Sequence, residues 1–163
     1  MRGNLNQALT AVDLTYNSLV EIADQYVATK TAEIDEIIKE AKDNIQNMSN
    51  EYIRNLMLNL SLHSFSFSEI KEKSSLMSAC SEIIRKEAYA KAFSTADGSV
   101  AAKENTATLN IADEILAETV YELISSLLKT KLDEIHRVVD VLKTILMSRL
   151  SEAKLNAVSD AME

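Results

Sequence analysis

The sequence predicts an all-α fold, in which long amphipathic helices form an extended helical hairpin or a coiled-coil-like bundle that is oligomeric. The 163 residues include no proline and only two glycines, the residue types that most often interrupt a helix. Apolar residues recur at gaps of three or four along most of the chain, which places them on one helical face. Each face is a narrow seam on a long rod, and such a rod must bury its seam against another rod of the same chain or of a second copy.

The first predicted helix covers residues 4 to about 58. Its apolar residues follow a heptad spacing that slips by one residue near the middle, and such a slip changes the local supercoil without ending a helix. The seam consists of Leu5, Leu9, Val12, Tyr16, Leu19, Ala23, Tyr26, Val27, Ile34, Ile38, Ala41, Ile45, Met48 and Tyr52. Residues 1–58 are therefore predicted to form a long N-terminal helix that acts as an oligomerisation arm.

The second helix is predicted to begin near Ser66. Residues 58–67 alternate between apolar and polar types, and we interpret them as a frayed helix end followed by a loop. Ser66 and Glu69 have the spacing of a capping box, and Phe65 and Ile70 occupy the positions of a hydrophobic staple. Both patterns are typical of a helix start.

A turn over residues 97–99 is predicted to end the second helix. Gly98 tolerates the left-handed conformation that often closes a helix, and Ser99 is a suitable N-cap for the helix that follows. Residues 105–110 are rich in poor helix formers and should loosen the chain before the last helix. Residues 59–163 are therefore predicted to form a helical hairpin domain.

The last third of the chain, residues 109–155, is predicted to form one helix roughly 70 Å long. It contains no proline or glycine, and almost all gaps between its apolar residues are three or four. Subunits are predicted to associate through nine residues of this seam: Leu116, Val120, Leu123, Leu127, Leu132, Ile135, Val139, Leu142 and Leu146.

Composition excludes some classes of function. Aromatic residues make up only 5% of the chain and tryptophan is absent, so the large aromatic-lined pockets of many enzymes are not expected. No segment approaches the roughly 18 continuous apolar residues of a membrane span, so no membrane partner is expected. The single cysteine, Cys80, cannot form an internal disulfide, which favours a reducing, cytoplasmic location. We predict that Cys80 is a buried small hydrophobe on the apolar face of the second helix.

No catalytic, metal or cofactor site is predicted. Asp133, His136 and Asp140 could share a helical face, but a di-metal bundle needs such a motif on two helices, and exposed ion pairing near Arg137 is the simpler interpretation. The chain has no phosphate-cradling glycine loop, no GxSxG sequence and no CxxC pair. We therefore expect a protein that is not an enzyme and that uses no cofactor.

The middle of the chain is its only basic region. The net charge is −8, but residues 52–96 carry six basic and four acidic groups. Basic residues that alternate with aromatic ones are typical of a groove for single-stranded nucleic acid, whereas core packing is the alternative interpretation of the aromatic residues. The residues concerned are Arg54, Lys71, Lys73, Arg85, Lys86 and Lys91, with Tyr52, Phe65, Phe67 and Tyr89.

Residues 85–149 resemble a known family. The segments 87–91 (EAYAK) and 96–104 (ADGSVAAKE), followed by a long amphipathic helix through 140–149, are similar to the UvsY-like recombination mediators and related small single-strand-binding accessory proteins of phages. The resemblance implies a homo-oligomeric ring that binds single-stranded DNA and helps to load a recombinase onto strands coated by a single-strand-binding protein. It also implies the host cell cytoplasm as the location. The basic residues that match the family, and that would contact phosphates, are Arg85, Lys86, Lys91 and Lys103.

Three functions follow from these patterns as hypotheses. The first is a helical, homo-oligomeric, phage-type recombination mediator or accessory protein for single-stranded DNA. The second is a virion structural or assembly protein, which accounts for the apolar seams and the acidity. The third is an acidic helical inhibitor of a host defence enzyme, in which carboxylates imitate the phosphates of DNA.

Overall fold

A computed structural model describes the backbone of residues 2–160 and the side chains of residues 15–160. The chain forms four helices in order: α1 (Arg2–Asn44), α2 (Asn50–Thr95), α3 (Val100–Asn110) and α4 (Ala112–Asp160). The described residues contain no β-strand. The predicted all-α class and the long last helix are therefore confirmed.

The helices group into two compact units. Unit 1 comprises Met1–Thr29 and Ile70–Lys129, and unit 2 comprises Lys30–Glu69 and Thr130–Glu163. Each unit contains one segment of α1, one of α2 and one of α4, and unit 1 also contains α3. This grouping differs from the predicted division at residue 58, and the role of residues 1–58 as an oligomerisation arm stays a prediction.

Unit 2 has a core of large apolar side chains. Along each helix these side chains are three, four or seven residues apart, which keeps them on one face. Burial of each large aliphatic or aromatic side chain stabilises the fold by about 1.5–3 kcal/mol relative to exposure. The buried residues are Thr31, Ile34, Ile38, Ala41, Met48, Ile53, Leu56, Leu60, Phe67, Ile135, Leu142 and Leu146.

The prediction of one helix from residue 4 to about 58 is wrong. The helix α1 ends at Asn44, and a turn leads to the start of α2 at Asn50. Ser49 caps α2, because its Oγ accepts a hydrogen bond from the backbone N–H of Tyr52 at 3.1 Å. The asparagines and the serine of this stretch favour turns and helix caps. The continuous apolar spacing nevertheless led to the prediction of a single helix.

A side chain from α4 stabilises this turn of unit 2. The guanidinium group of Arg149 donates hydrogen bonds to the backbone carbonyls of Ile45 (2.9 Å), Gln46 (3.1 Å) and Met48 (2.5 Å). Carbonyls just after a helix end have no partner within the helix, and a positive charge there also complements the helix dipole. Arg149 thus acts as a clamp on the end of α1.

The predicted loop over residues 58–67 is also wrong, because these residues lie inside α2. Serine hydroxyls there donate to carbonyls of their own helix: Ser61 to Met57 at 2.7 Å and Ser68 to Ser64 at 2.8 Å. The serines therefore do not compete with the helix for backbone groups. Neither Ser66 nor Phe65 stands at a helix start, so the proposed capping box and staple are not formed.

The predicted turn at residues 97–99 is confirmed. The helix α2 ends at Thr95, and Gly98 has φ +108°, a conformation that disfavours other residues. Ser99 is the N-cap of α3, and its Oγ accepts from the backbone N–H of Ala102 at 3.4 Å. Residues 105–110 lie inside α3, so the loosening expected there is wrong, and the break falls at Ile111, which separates α3 from α4.

Unit 1 has an interior with several small or polar side chains. Its buried residues, among the side chains described, are Ala23, Val27, Ser74, Ala107, Ile111, Ile124 and Leu128. A cavity of about 230 Å³ lies beside Ser74 and is lined by Ile22, Tyr26, Met77, Val120, Tyr121 and Ile124. Among the described side chains, the buried residues of unit 1 are therefore on average smaller than those of unit 2.

Candidate functional site

All four residues predicted to contact DNA belong to unit 1. Arg85, Lys86 and Lys91 lie on α2, and Lys103 lies on α3. Neighbouring residues of a helix point about 100° apart, so Arg85 and Lys86 do not share a direction. The four basic groups are thus gathered in one unit, but their ion pairing decides how much positive charge they present.

Arg85 forms an ion pair with Glu118 of α4. Its Nε donates to a carboxylate oxygen of Glu118, and both side chains are largely shielded from solvent. This hydrogen bond raises the pKa of Arg85 above its ordinary value. The pair links α2 to α4 within unit 1, so Arg85 has a structural role that accounts for its position.

Lys86 is also paired, but within its own helix. Its Nζ lies 2.5 Å from Oε1 of Glu82, one turn earlier in α2. The hydrogen bond from Lys86 lowers the pKa of the Glu82 carboxyl group. Exposed pairs of this spacing contribute little to stability and exchange readily for another anion.

Lys91 and Lys103 present the more available charges. Lys91 is exposed and Lys103 is half-buried, and neither has an ion-pair partner among the residues that the structure describes. Three of the four predicted aromatic companions belong to unit 2, where Phe67 is buried and Tyr52 donates to Glu40 of α1 at 2.5 Å. Tyr89 belongs to unit 1 and stacks on Phe93, with ring centroids 6.2 Å apart.

A polar cleft between α2 and α4 of unit 1 was not predicted. It has a volume of about 450 Å³, and the hydroxyl groups of Ser75 and Ser125 approach within 3.0 Å across it. Its charged rim contains Lys71, which pairs with Glu72 at 2.9 Å, and Lys129. The remaining lining residues are Ser78, Glu122 and Ser126. The sequence indicated this cleft only through serines three or four residues apart on one helix and adjacent serines on another.

The nine residues predicted to join subunits differ in their exposure. Ile135, Leu142 and Leu146 are buried in unit 2, so their side chains already pack within the chain. Leu116, in unit 1, is 39% exposed. The other members, Val120, Leu123, Leu127, Leu132 and Val139, are half-buried. Subunit association through this set stays a prediction, and Leu116 is its most accessible member.

Unit 1 presents a second apolar feature, which we name the α2 apolar surface. It consists of five exposed residues on three turns of one helix: Leu76, Met77, Cys80, Ile83 and Ile84. The prediction that Cys80 is buried is therefore wrong. The apolar face of this part of α2 points outward, whereas Ser74 points inward. Sequence periodicity identified the face but not its direction.

Unit 2 has an open groove of about 440 Å³ between α1 and α4. Its walls are mainly aliphatic, and its rim carries Arg137 and the Lys42–Glu134 ion pair, whose atoms are 2.8 Å apart. The wall residues are Ala41, Ile45, Val138, Val141, Leu142 and Ile145. This groove is wide and shallow and has no catalytic grouping of side chains along it.

Two further observations concern the described residues alone. They include no group of three or more His, Cys, Asp or Glu side chains placed to hold a metal ion. None of their helices is long and apolar enough to cross a membrane. No protein-family model, curated protein or solved structure matches the chain.

Proposed function

We propose that this chain is a non-enzymatic helical protein whose basic activity is to associate with copies of itself, as a structural or assembly component. The observation that carries the proposal is the α2 apolar surface. On this part of α2, large aliphatic groups are exposed while Ser74 is buried. A contiguous exposed apolar patch on a folded protein is typical of a protein–protein interface.

The acidity of the chain agrees with an assembly role. A net charge of −8 keeps unassembled subunits apart in solution, so association depends on apolar contact and tolerates salt. Screening of like charges should therefore strengthen the assembly. A protein held together by ion pairs would respond to salt in the opposite direction.

Native mass spectrometry and sedimentation velocity test the proposal. We expect a dimer or a larger homo-oligomer at micromolar concentration, and we expect its mass to persist or increase between low salt and 0.5 M salt. A single subunit at 100 µM under all conditions would contradict self-association.

We propose as a second candidate that the assembled protein binds single-stranded DNA as a recombination mediator, with a recombinase or a single-strand-binding protein as its partner. Lys91 and Lys103, which lack ion-pair partners among the described residues, favour it. Lys129 adds a positive group at the rim of the serine cleft of unit 1. Repeated on every subunit of an oligomer, such a small number of contacts would gain strength through avidity.

Fluorescence anisotropy with a labelled oligo-dT tests this second candidate across a salt series. Each phosphate contact contributes about 0.7 to the slope of log K against log salt. The double variant Lys91→Ala/Lys103→Ala should therefore lower the slope by about 1.4 per subunit engaged. Lys39→Ala in unit 2 is the matched control. The absence of salt-dependent binding at low ionic strength would remove the DNA role.

A further inference from the structure

We infer that a second copy of this chain docks on the α2 apolar surface in antiparallel orientation, with the twofold axis passing beside Cys80. The inference rests on the proposed self-association and names the surface and the geometry through which it occurs. Four features of α2 support it. The exposed apolar residues lie on one side of the helix, they are symmetric about Cys80, opposite charges flank them, and a cysteine lies at their centre.

The five residues of the surface point in one direction. A helix advances about 100° per residue, so residues three or four positions from Cys80 lie about 60° and 40° to either side of it. Leu76, Met77, Ile83 and Ile84 occupy these positions, and all are exposed. Together with Cys80 they form a stripe about 120° wide, comparable to the apolar stripe that a helix buries, and Met77 at its edge also lines the cavity beside Ser74.

The stripe is symmetric about Cys80. Leu76 and Ile84 lie four positions to either side of it, and Met77 and Ile83 lie three positions to either side. A twofold interface brings the same patch of both subunits together, and in an antiparallel helix pair each residue lies level with its mirror position. Leu76 and Ile83 lie on one side of Cys80, and Met77 and Ile84 lie on the other, so Leu76 would pack near Ile83 of the second copy and Met77 near Ile84 of the second copy. Every large apolar group of the stripe finds an apolar partner.

Charges at the ends of the stripe select the antiparallel orientation. Lys73 and Glu87 are exposed and lie seven positions to either side of Cys80, on the same helical face. In the antiparallel pair each Lys73 approaches Glu87 of the second copy. In a parallel pair Lys73 would meet Lys73 and Glu87 would meet Glu87, and flanking charges of this kind set the orientation of paired helices.

Cys80 supplies a direct probe of this geometry. Helices that pack about 8–10 Å apart bring facing Cα atoms to about 3.4–5.4 Å when Cα atoms lie about 2.3 Å from each axis. A disulfide bridges Cα atoms about 4.4–6.8 Å apart. Cys80 is exposed in the single chain, so oxidation should join two copies through it.

The first experiment is oxidation of the full chain with diamide at micromolar concentration. Two Cys80 thiols lose two protons and two electrons to diamide, which becomes the hydrazine, and one S–S bond forms. We expect most of the protein to become a covalent dimer on a non-reducing gel. The matched control carries Cys80→Ser and Ala79→Cys, which moves the thiol to a neighbouring exposed position about 100° away, and it should cross-link at least about tenfold more slowly.

The second experiment measures the dimer dissociation constant of surface variants by sedimentation. Ile83→Glu should raise it at least about 100-fold, because each dimer loses two buried isoleucines and would have to bury two carboxylates. Leu62→Glu is the matched control, since Leu62 and Ile83 are both 56% exposed on α2. Circular dichroism of each variant verifies that the helices remain folded. Lys73→Glu should weaken the dimer, and addition of Glu87→Lys should restore it.

The outcomes separate this inference from the function on which it rests. A homo-oligomer that neither cross-links through Cys80 nor responds to Ile83→Glu would overturn the α2 surface and leave self-association intact. Dissociation by Leu62→Glu in place of Ile83→Glu would also overturn it. A chain that is monomeric before any substitution would overturn both proposals.

Discussion

Unit 1 and unit 2 draw on the same three long helices but differ in the size and polarity of the described residues that they bury. Unit 2 buries Leu60, Phe67 and Leu142 completely or almost so. Unit 1 buries Ser74 and leaves Leu76 and Ile83 in solvent. Among the described side chains, unit 2 buries the larger apolar groups, whereas α2 within unit 1 places a serine at the buried position and leaves large apolar groups exposed.

The change between the two arrangements is visible along α2. Every seventh residue from Ile53 is Leu60, then Phe67, and these three side chains are buried. The same heptad continues with Ser74 and Ser81, which are small and polar. The spacing of seven residues is kept along α2, but the residues at these positions become smaller. The large apolar residues in the second half of α2 therefore lie on other faces of the helix. A single helix thus carries large apolar residues at these positions in unit 2 and small polar residues in unit 1.

The largest predicted effect tests the core of unit 2. Leu60→Ala should lower the free energy of unfolding by about 3 kcal/mol, because it removes a fully buried side chain and leaves a cavity. Leu62→Ala, two residues away on the exposed side, should change it by less than about 0.5 kcal/mol. Urea denaturation of both variants provides the measurement, and similar losses for the two would contradict the assignment of the core face.

The next prediction concerns the turns. Arg149→Ala should lower the free energy of unfolding by about 2 kcal/mol, since the hydrogen bonds of a charged donor to three carbonyls are lost. Hydrogen exchange should accelerate at residues 45–49 first. Arg137→Ala removes an arginine of the same helix that makes no such contacts, and it should be nearly neutral. Unaltered exchange at the turn in the Arg149 variant would exclude the clamp.

A smaller effect of the opposite sign is expected in unit 1. Ser74→Leu should raise the free energy of unfolding by about 1 kcal/mol, because the new side chain fills part of the 230 Å³ cavity with apolar atoms. Ser74→Ala, which removes the hydroxyl without filling the space, should have less effect. Thermal unfolding measures both changes. A loss of stability in Ser74→Leu would indicate that the interior of unit 1 is already filled.

The smallest effect depends on pH and concerns the ion pairs of unit 2. Hydrogen bonds from Lys131 and then Lys42 lower the pKa of Glu134. A lowered carboxyl pKa stabilises the fold above the unfolded value of about 4.3 and loses that contribution as pH falls through the folded value. Glu134→Gln should cost about 0.5 kcal/mol at pH 7, and the difference from the unmodified protein should vanish near pH 3. Denaturation at several pH values checks this.

Glu82→Gln is the matched variant for this prediction in unit 1. Glu82 has a lowered pKa as well, but its pair with Lys86 is exposed and joins two turns of one helix. Its effect on stability should be smaller than that of Glu134→Gln at every pH. A larger effect would show that the pair helps to hold unit 1 together.

Local chemistry made part of the fold predictable. The scarcity of proline and glycine indicated long helices, and Gly98 and Ser99 specified the turn through their own conformation and hydrogen bonding. The turn after Asn44 was missed because the apolar spacing continues through Ile45 and Met48, and because the partner that stabilises the turn, Arg149, is about a hundred residues away in the sequence. A contact of that separation leaves no periodic signal.

The direction of an apolar face was the other element that sequence reasoning missed. The helix α2 carries apolar residues on more than one side, so Cys80 was predicted to be buried although it is exposed. Which face of α2 points inward depends on the side chains of α1 and α4 that pack against it. For Arg85 and Lys86, the basic residue type was visible in the sequence, but their pairing with Glu118 and Glu82 was not.

The arginine clamp also has a consequence for the order in which the protein matures. A ribosome completes the carbonyls of Ile45 and Gln46 more than a hundred residues before it adds Arg149. During that interval the first two helices of the nascent chain have no guanidinium at their junction. The final closure of this junction is therefore a late, long-range event in biosynthesis, and a ribosome-bound intermediate lacking it should be the form most open to proteases at residues 45–49.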